Sequence, residues 1–447
     1  MAVILCLMKP IASSKSRSSI VTRIPFSYGW VILTVSALAI FTSGPGQTYS
    51  ISIFVDSIIS DMGWSRTMVS GLYTAGSLTA GAVMILVGRL LDKYGARIML
   101  PVVCILFGLA ALWMSSVDHP LKLYAGFAAI RALGQGSLTL IPTTLIALWF
   151  VRRRGRATAI GSLGGAVSGA TFPILIHNLI TNIGWRNAWL VLAFVIWAAL
   201  LLPAILLVRR SPESVGLLPD GYPSQPKDQV EKGAADNIQE VNLSLGEVLR
   251  TRTFWLLVLA GSAFPLIATA LGFHHISLLA SKGILAGVAA AVFGVMAPMQ
   301  IVGSFVAGFM ADRFPNRYLL ALGQGLLVTA MLWTFLISST WQAFVYGAII
   351  GLAGGFSMTI SAVIWPNYYG RLHLGSIRGV VTASMVGFAA LGPLPFGWIY
   401  DLTGSYSLAI LVFLMLPLSC AVAALLAYPP RNNAESNLTR NPPRHET

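Results

Sequence analysis

The sequence predicts an all-α membrane protein whose twelve spanning helices form two pseudo-symmetric six-helix bundles. Three observations carry that prediction. Of the 447 residues, 56% are hydrophobic and only 10% charged, against about 25% charged in an ordinary soluble domain, so lipid must be the main solvent. Apolar stretches near the roughly 20 residues that a spanning helix needs recur along the whole chain. A short basic loop is also duplicated: GRLLDKYGAR at 88–97 and GFMADRFPNR at 308–317 set Asp92 and Asp312 half a chain apart, the mark of two homologous halves.

The elements follow from breaks at charge and turn clusters. The first half holds candidate spans at 28–55, 66–91, 97–117, 121–150, 155–181 and 185–208. The second holds 254–280, 285–311, 317–338, 341–369, 378–400 and 405–428. In the first span, Pro45 between Gly44 and Gly46 loosens the helix and frees backbone groups that a cavity can accept. The fifth span carries Gly161, Gly164, Gly165, Ser168 and Gly169, and the tenth Gly347, Gly351, Gly354 and Gly355. Such small faces let helix backbones approach closely in lipid. Residues 209–252 form a polar linker rich in Pro, Gly and charge, of which 242–255 has helical spacing. The expected division is a tail at 1–25, a bundle at 26–208, the linker, a bundle at 253–428 and a tail at 429–447.

Charge fixes the expected orientation. If both termini are cytoplasmic, cytoplasmic tails and loops hold all but five of the 29 Lys and Arg. Arg66, Lys122, Arg186 and Lys282 fall on the other side and Arg131 falls inside a span, an asymmetry that obeys the positive-inside rule. The net charge of +14 is therefore a topology signal, and nucleic acid is not an expected partner. The three cysteines are scattered without metal or disulfide spacing. No P-loop or HExxH motif occurs, so an ATP-driven pump or membrane protease is not expected, and neither are a cofactor and a metal.

With twelve spans, a six-plus-six division and two motif loops, the chain resembles the major facilitator superfamily. Gly88, Leu90, Asp92, Gly95 and Arg97 match that family's signature loop. Gly308, Asp312, Arg313 and Arg317 match a degenerate copy in which Pro315 replaces the second glycine. RALGQG (131–136) matches its helix 4 pattern. GWVILTVSALAIFTSGPGQTYS, WFVRRRGRATAIGSLGGAVSGATFP and GPLPFGWIYDLTGSYS are similar to the monocarboxylate and oxalate/formate branch. That branch usually carries an arginine in helix 8, where Ser304 stands, and its animal members a lysine in helix 1, where Gln47 stands. Both expected anion-binding cations are absent.

Candidate residues fall into three groups. Asp92, with Lys93 and Arg97, sits between spans 2 and 3. A carboxylate there can accept hydrogen bonds from a helix N-terminus and pair with arginines of another helix, locking one face. Asp312, with Arg313 and Arg317, should do the same more weakly. Arg131 is the strongly basic group deep in a span, where a charge costs several kcal/mol unless paired or hydrated. Its expected partners are polar groups of helix 1 such as Gln47, water, or an anionic substrate. No interior carboxylate is evident, so His274 and His275 in span 7 are coupling candidates, with His177 nearer an outer end.

The resemblance implies that helices 1, 4, 7 and 10 line a cavity. Gln47, Tyr49, Gln135, Thr139, Phe273, Ser304, Ser361, Trp365 and Asn367 are then the substrate-binding candidates. Trp365 equally fits an interfacial aromatic belt. The resemblance implies a monomeric secondary transporter of the inner or plasma membrane, with both termini in the cytoplasm. Its expected substrate is a small organic anion, with a proton as candidate co-substrate. An exporter of neutral or amphipathic compounds is the alternative, and a non-transporting membrane sensor a more distant one.

Overall fold

The computed structural model describes residues 28–64, 66–221 and 243–430. The expected tail at 1–25, residues 431–447 of the expected tail at 429–447, Cys6 and the linker stretch 222–242 lie outside the described residues.

Eleven described helical stretches are long and apolar enough to cross a membrane. One of them, Arg154–Leu207, has 54 residues, about 80 Å of helix and far more than a bilayer needs. Gly184 interrupts it with φ 78° and ψ 160°, so it is two spans, and the expected twelve are present. We number the spans α1 to α12. The first half comprises α1 (Tyr28–Thr42, resuming as Thr48–Met62), α2 (Arg66–Tyr94), α3 (Ala96–Ser115), α4 (Pro120–Trp149), α5 (154–183) and α6 (185–207). The second comprises α7 (Arg252–Ala280), α8 (Ala286–Ala311), α9 (Asn316–Trp333), α10 (Thr340–Tyr369), α11 (Leu374–Leu391, resuming as Pro393–Thr403) and α12 (Tyr406–Leu426).

Several boundaries differ from the sequence reading for local reasons. The first span runs to Met62 because Gly44–Gly46 forms a 3-10 turn instead of ending the helix, and Gly63 closes it in the left-handed conformation. Span 11 begins at Leu374 rather than 378, because the preceding turn ends at His373. A short helix, Leu245–Arg250, precedes α7. Ser244 and Glu247 cap it reciprocally, the Ser244 side chain accepting from the Glu247 amide and Glu247 accepting from the Ser244 amide.

One continuous apolar core fills the first half, from Tyr28 to Val208. The second half has two, one around Phe254, Trp365, Tyr369 and Ile377, the other around Ile267, Met331, Tyr346 and Phe396. Helices α8 and α10 pack backbone to backbone. A Cβ at Gly303 would collide with the Leu352 carbonyl, one at Gly351 with that of Met296, and one at Gly355 with that of Gln300.

The loops at 92–95, 150–154, 208–211, 312–315 and 370–373 share one face, which we call the basic face. At the other end, Asp61 accepts from Trp185 Nε1 at 3.2 Å and pairs with Arg186, which also donates to the Val117 carbonyl at 3.1 Å.

Candidate functional site

The two motif loops hold the halves together on the basic face, each by capping a helix of the opposite half. Asp92 accepts from the backbone amides of Gly375 and Ser376, both at 2.7 Å. These lie in the first turn of α11, where amides have no intrahelical acceptor. Asp312 accepts from Gly155 N at 2.8 Å and Arg156 N at 3.4 Å in the first turn of α5, and forms an ion pair with Arg156 Nε at 2.8 Å. Positions 92 and 312, 88 and 308, and 155 and 375 share one offset, so the latches are copies.

The backbones must approach closely for this. A Cβ at Gly375 would lie 2.6 Å from Asp92 Oδ1 and 2.7 Å from the Gly88 carbonyl oxygen. A Cβ at Gly308 would lie 2.7 Å from the Gly155 carbonyl oxygen. Gly95 adopts φ 76°, which a side chain resists. Pro315, at φ −59°, cannot follow that course, so the second loop turns differently while leaving Asp312 on target.

Two expectations for the latches need correction. Asp92 takes helix amides and no arginine among the described ion pairs, whereas the degenerate copy gains one. Arg317 is turned away from Asp312, donating to the Tyr318 hydroxyl at 2.7 Å and lying 4.1 Å from the Tyr428 ring. Lys93 lies 5.2 Å from the Tyr94 ring. Arg97 and Arg313 are exposed at the same face.

Further bonds cross between halves here. Arg371 donates to the Leu148 carbonyl at 2.9 Å. Buried Arg154 donates to the Phe150 and Ala147 carbonyls, each at 3.1 Å, and to Asn367 Oδ1. Asn367 is thus part of the closure. Contact between α2 and α11 continues to Gly81, where an added Cβ would lie 3.2 Å from Val386.

Arg131 occupies the interior of the first half, at the start of a π-helical stretch, Arg131–Ser137. Such stretches gather at functional sites. It is buried, donates from Nε to Ser77 Oγ at 3.1 Å and from Nη1 to Thr48 Oγ1 at 3.0 Å, and stands 5.1 Å from the Tyr73 ring. Tyr73 also donates to Thr48 Oγ1 at 3.0 Å. No carboxylate lies within ion-pair distance of Arg131 among the described residues. The break in α1 brings this about: a Cβ at Gly46 would lie 2.8 Å from Gly134 Cα and 2.7 Å from the Ile130 carbonyl oxygen of α4.

The expected helix 1 partner was Gln47. The structure substitutes Thr48, because Gln47 is the extended residue of the break and its Nε2 donates to Ser43 Oγ at 3.0 Å. Tyr49 and Ser168 of α5 share a hydrogen bond of 2.9 Å. Gln135 and Thr139 are half-buried on α4, and the Thr139 hydroxyl donates to the Gly136 carbonyl at 2.9 Å.

The second half contributes less to a central cavity than the sequence suggested. Ser304 is buried in the α8–α10 seam and donates to the Gly355 carbonyl at 3.2 Å. Trp365 is buried between Phe254 and Tyr369, with ring centroids at 5.6 and 6.3 Å, in neither belt nor pocket. Ser361 is half-buried. His275 is enclosed by α8 and α10, with Nε2 against the Ala289 carbonyl at 2.9 Å and its ring 4.4 Å from Phe293. His274 packs on Phe396 and Tyr406, at 5.4 and 5.7 Å. His177 is exposed. The side chain of Phe273 lies outside the described residues.

Sequence reasoning missed Arg378. The expected span 11 begins at that residue without giving it a role; it sits within α11, where its Nη1 is buried without a hydrogen-bond partner. Its spacing from Gly375 and Gly379, on the face that meets α2, was the available signal.

The fold and the paired latches define a membrane protein of two six-helix bundles. The family model of the Major Facilitator Superfamily matches residues 35–300 and 259–446, and the chain belongs to that superfamily. It is similar to MFS transporter asaE of Aspergillus flavus, 27% identical over 68% of this chain and 66% of that protein's length. Monocarboxylate transporter 12-B of Danio rerio is 26% identical over 72% of this chain and 71% of its own. Among solved structures, the E. coli fucose:proton symporter FucP aligns with a TM-score of 0.64 at 16% identity, covering 91% of this chain and 100% of that one.

Proposed function

We propose that this chain is a secondary transporter, not an enzyme, that carries a small monocarboxylate-like anion by alternating access. In this reading the basic face is cytoplasmic, as are both termini, and the membrane is the inner or plasma membrane. The observation that carries the reading is the charge of Arg131. A guanidinium held in a membrane interior by hydroxyls and a ring alone keeps an uncompensated positive charge, and a carboxylate entering beside it would balance that charge. Similarity to a protein named a monocarboxylate transporter supports the same substrate class. Latches that join the two halves at one face are what an end state of a rocking transporter requires.

Tyr49, Gln135 and Thr139 then line the path beside Arg131, and Arg131 couples substrate occupancy to the α1 break. The histidines, packed within the second bundle, act on coupling indirectly if a proton is carried.

Uptake of labelled lactate and pyruvate into proteoliposomes, with and without a pH gradient, tests this. Saturable uptake is expected, with half-saturation raised in both Arg131→Gln and Arg131→Lys, since lysine lacks the forked donor geometry. The rival reading, export of neutral or amphipathic compounds, draws on Ser304 and Gln47 standing where cations were expected. Flux of a neutral amphipath that is indifferent to Arg131→Gln would favour it and defeat the anion reading.

A further inference from the structure

On the flank of the molecule where the halves meet, at the basic end, lies a crevice of about 130 Å³. Both halves build it: Trp30 of α1 and Phe150 from the first, Phe305 and Phe309 of α8 from the second, with Arg153 and Arg156 beside them. Trp30 is 40% exposed and Phe309 49% exposed. The Arg156 guanidinium stands 5.7 Å from the Phe309 ring, and Trp30 meets Phe150 edge-on at 5.7 Å. Aromatic walls left this open suit lipid, and aromatic and arginine side chains together at helix ends mark the level of lipid headgroups.

Four arginines and two carboxylates gather around the crevice. Arg152, Arg153, Arg154 and Arg156 follow one another on the α4–α5 turn. The carboxylates that reach this turn are already committed. Asp220 accepts from the amides of Val151, Arg152 and Arg153 at 3.1, 2.9 and 3.3 Å. Asp312 takes Gly155 N and Arg156. The Arg153 side chain is exposed at the rim, and basic pockets between spanning helices are recognised by anionic headgroups.

We propose that this crevice binds an anionic phospholipid, its phosphate between Arg153 and Arg156 and the start of an acyl chain against Trp30, Phe305 and Phe309. Because Arg156 also pairs with Asp312, the phosphate competes for one partner of the second latch. The lipid composition of that leaflet then biases how tightly the basic face closes. The first latch, made of backbone amides, has no such competitor, so the bias acts on one copy only.

The test uses full-length protein in detergent, delipidated and then offered phosphatidylglycerol, phosphatidylcholine or inorganic phosphate, with bound lipid read by native mass spectrometry and stability by thermal shift. Preferential retention of phosphatidylglycerol is expected, with a rise in Tm that inorganic phosphate does not reproduce. Arg153→Gln should lower phosphatidylglycerol retention about fivefold and leave phosphatidylcholine unchanged. Equal retention of the two lipids by the unmutated protein overturns the proposal, whatever the variant does. So does unchanged phosphatidylglycerol retention in Arg153→Gln, or a full thermal shift from inorganic phosphate alone.

Discussion

Arg131 sets the chemistry at the residue scale. Its hydrogen bonds to Ser77 and Thr48 satisfy geometry without supplying negative charge, so the residue is poised for an anion. A charge-assisted hydrogen bond contributes about 1.5–3 kcal/mol. Arg131→Gln should therefore weaken substrate affinity by roughly tenfold or more, read as a rise in half-saturation for uptake or a loss of substrate-induced thermal shift. Thr48→Val removes one hydrogen bond and no charge, so a smaller effect, roughly threefold to tenfold, is expected in the same assay. The place of Arg131 inside a span was legible in the sequence, because an arginine within an apolar run stands out. Its partner was not, because Gln47 and Thr48 are neighbours and only the backbone of the break decides which one turns toward α4.

At the scale of elements, the account rests on helix N-termini held by carboxylates across the seam. Asp92→Asn removes the charge that two α11 amides point at, and should shift the balance of states toward an open basic face by about 1–3 kcal/mol. Asp312→Asn should act similarly. Its extra ion pair joins an arginine that is 44% exposed to a carboxylate that is only 5% exposed, so the loss should be at least as large as at Asp92. Gly375→Ala drives a methyl group into Asp92 and the Gly88 carbonyl and should pry α2 from α11. Faster thiol labelling of a cysteine introduced at Ser376 would report it, and labelling at the unmodified rate would contradict it. The duplicated loops made both latches visible in sequence, and Gly-Pro-Gly made the α1 break visible. The capped partners were not, because Gly155 and Gly375 look like any glycine in a loop and become meaningful only when the opposite half lies against them. Trp365 misled because an aromatic near a helix end fits belt, pocket or core until packing chooses.

For the whole molecule, the proposed alternating access reads the two bundles, latched at the basic face, as one conformer of a rocking pair. Fold class and the number of spans were legible because lipid imposes helix length and apolarity on every crossing. Which face the latches join was not, because Asp92 and Asp312 meet their partner amides only across the two halves, far away in the chain. The most direct test is pulsed electron–electron resonance between spin labels at two cross-seam pairs. One pair, at positions 152 and 372, lies on the basic face, and the other, at 182 and 281, on the opposite face. Adding substrate under a gradient, or introducing Asp92→Asn, should lengthen the first distance while the second shortens. Distances that stay fixed, or that lengthen together, would contradict the alternating mechanism.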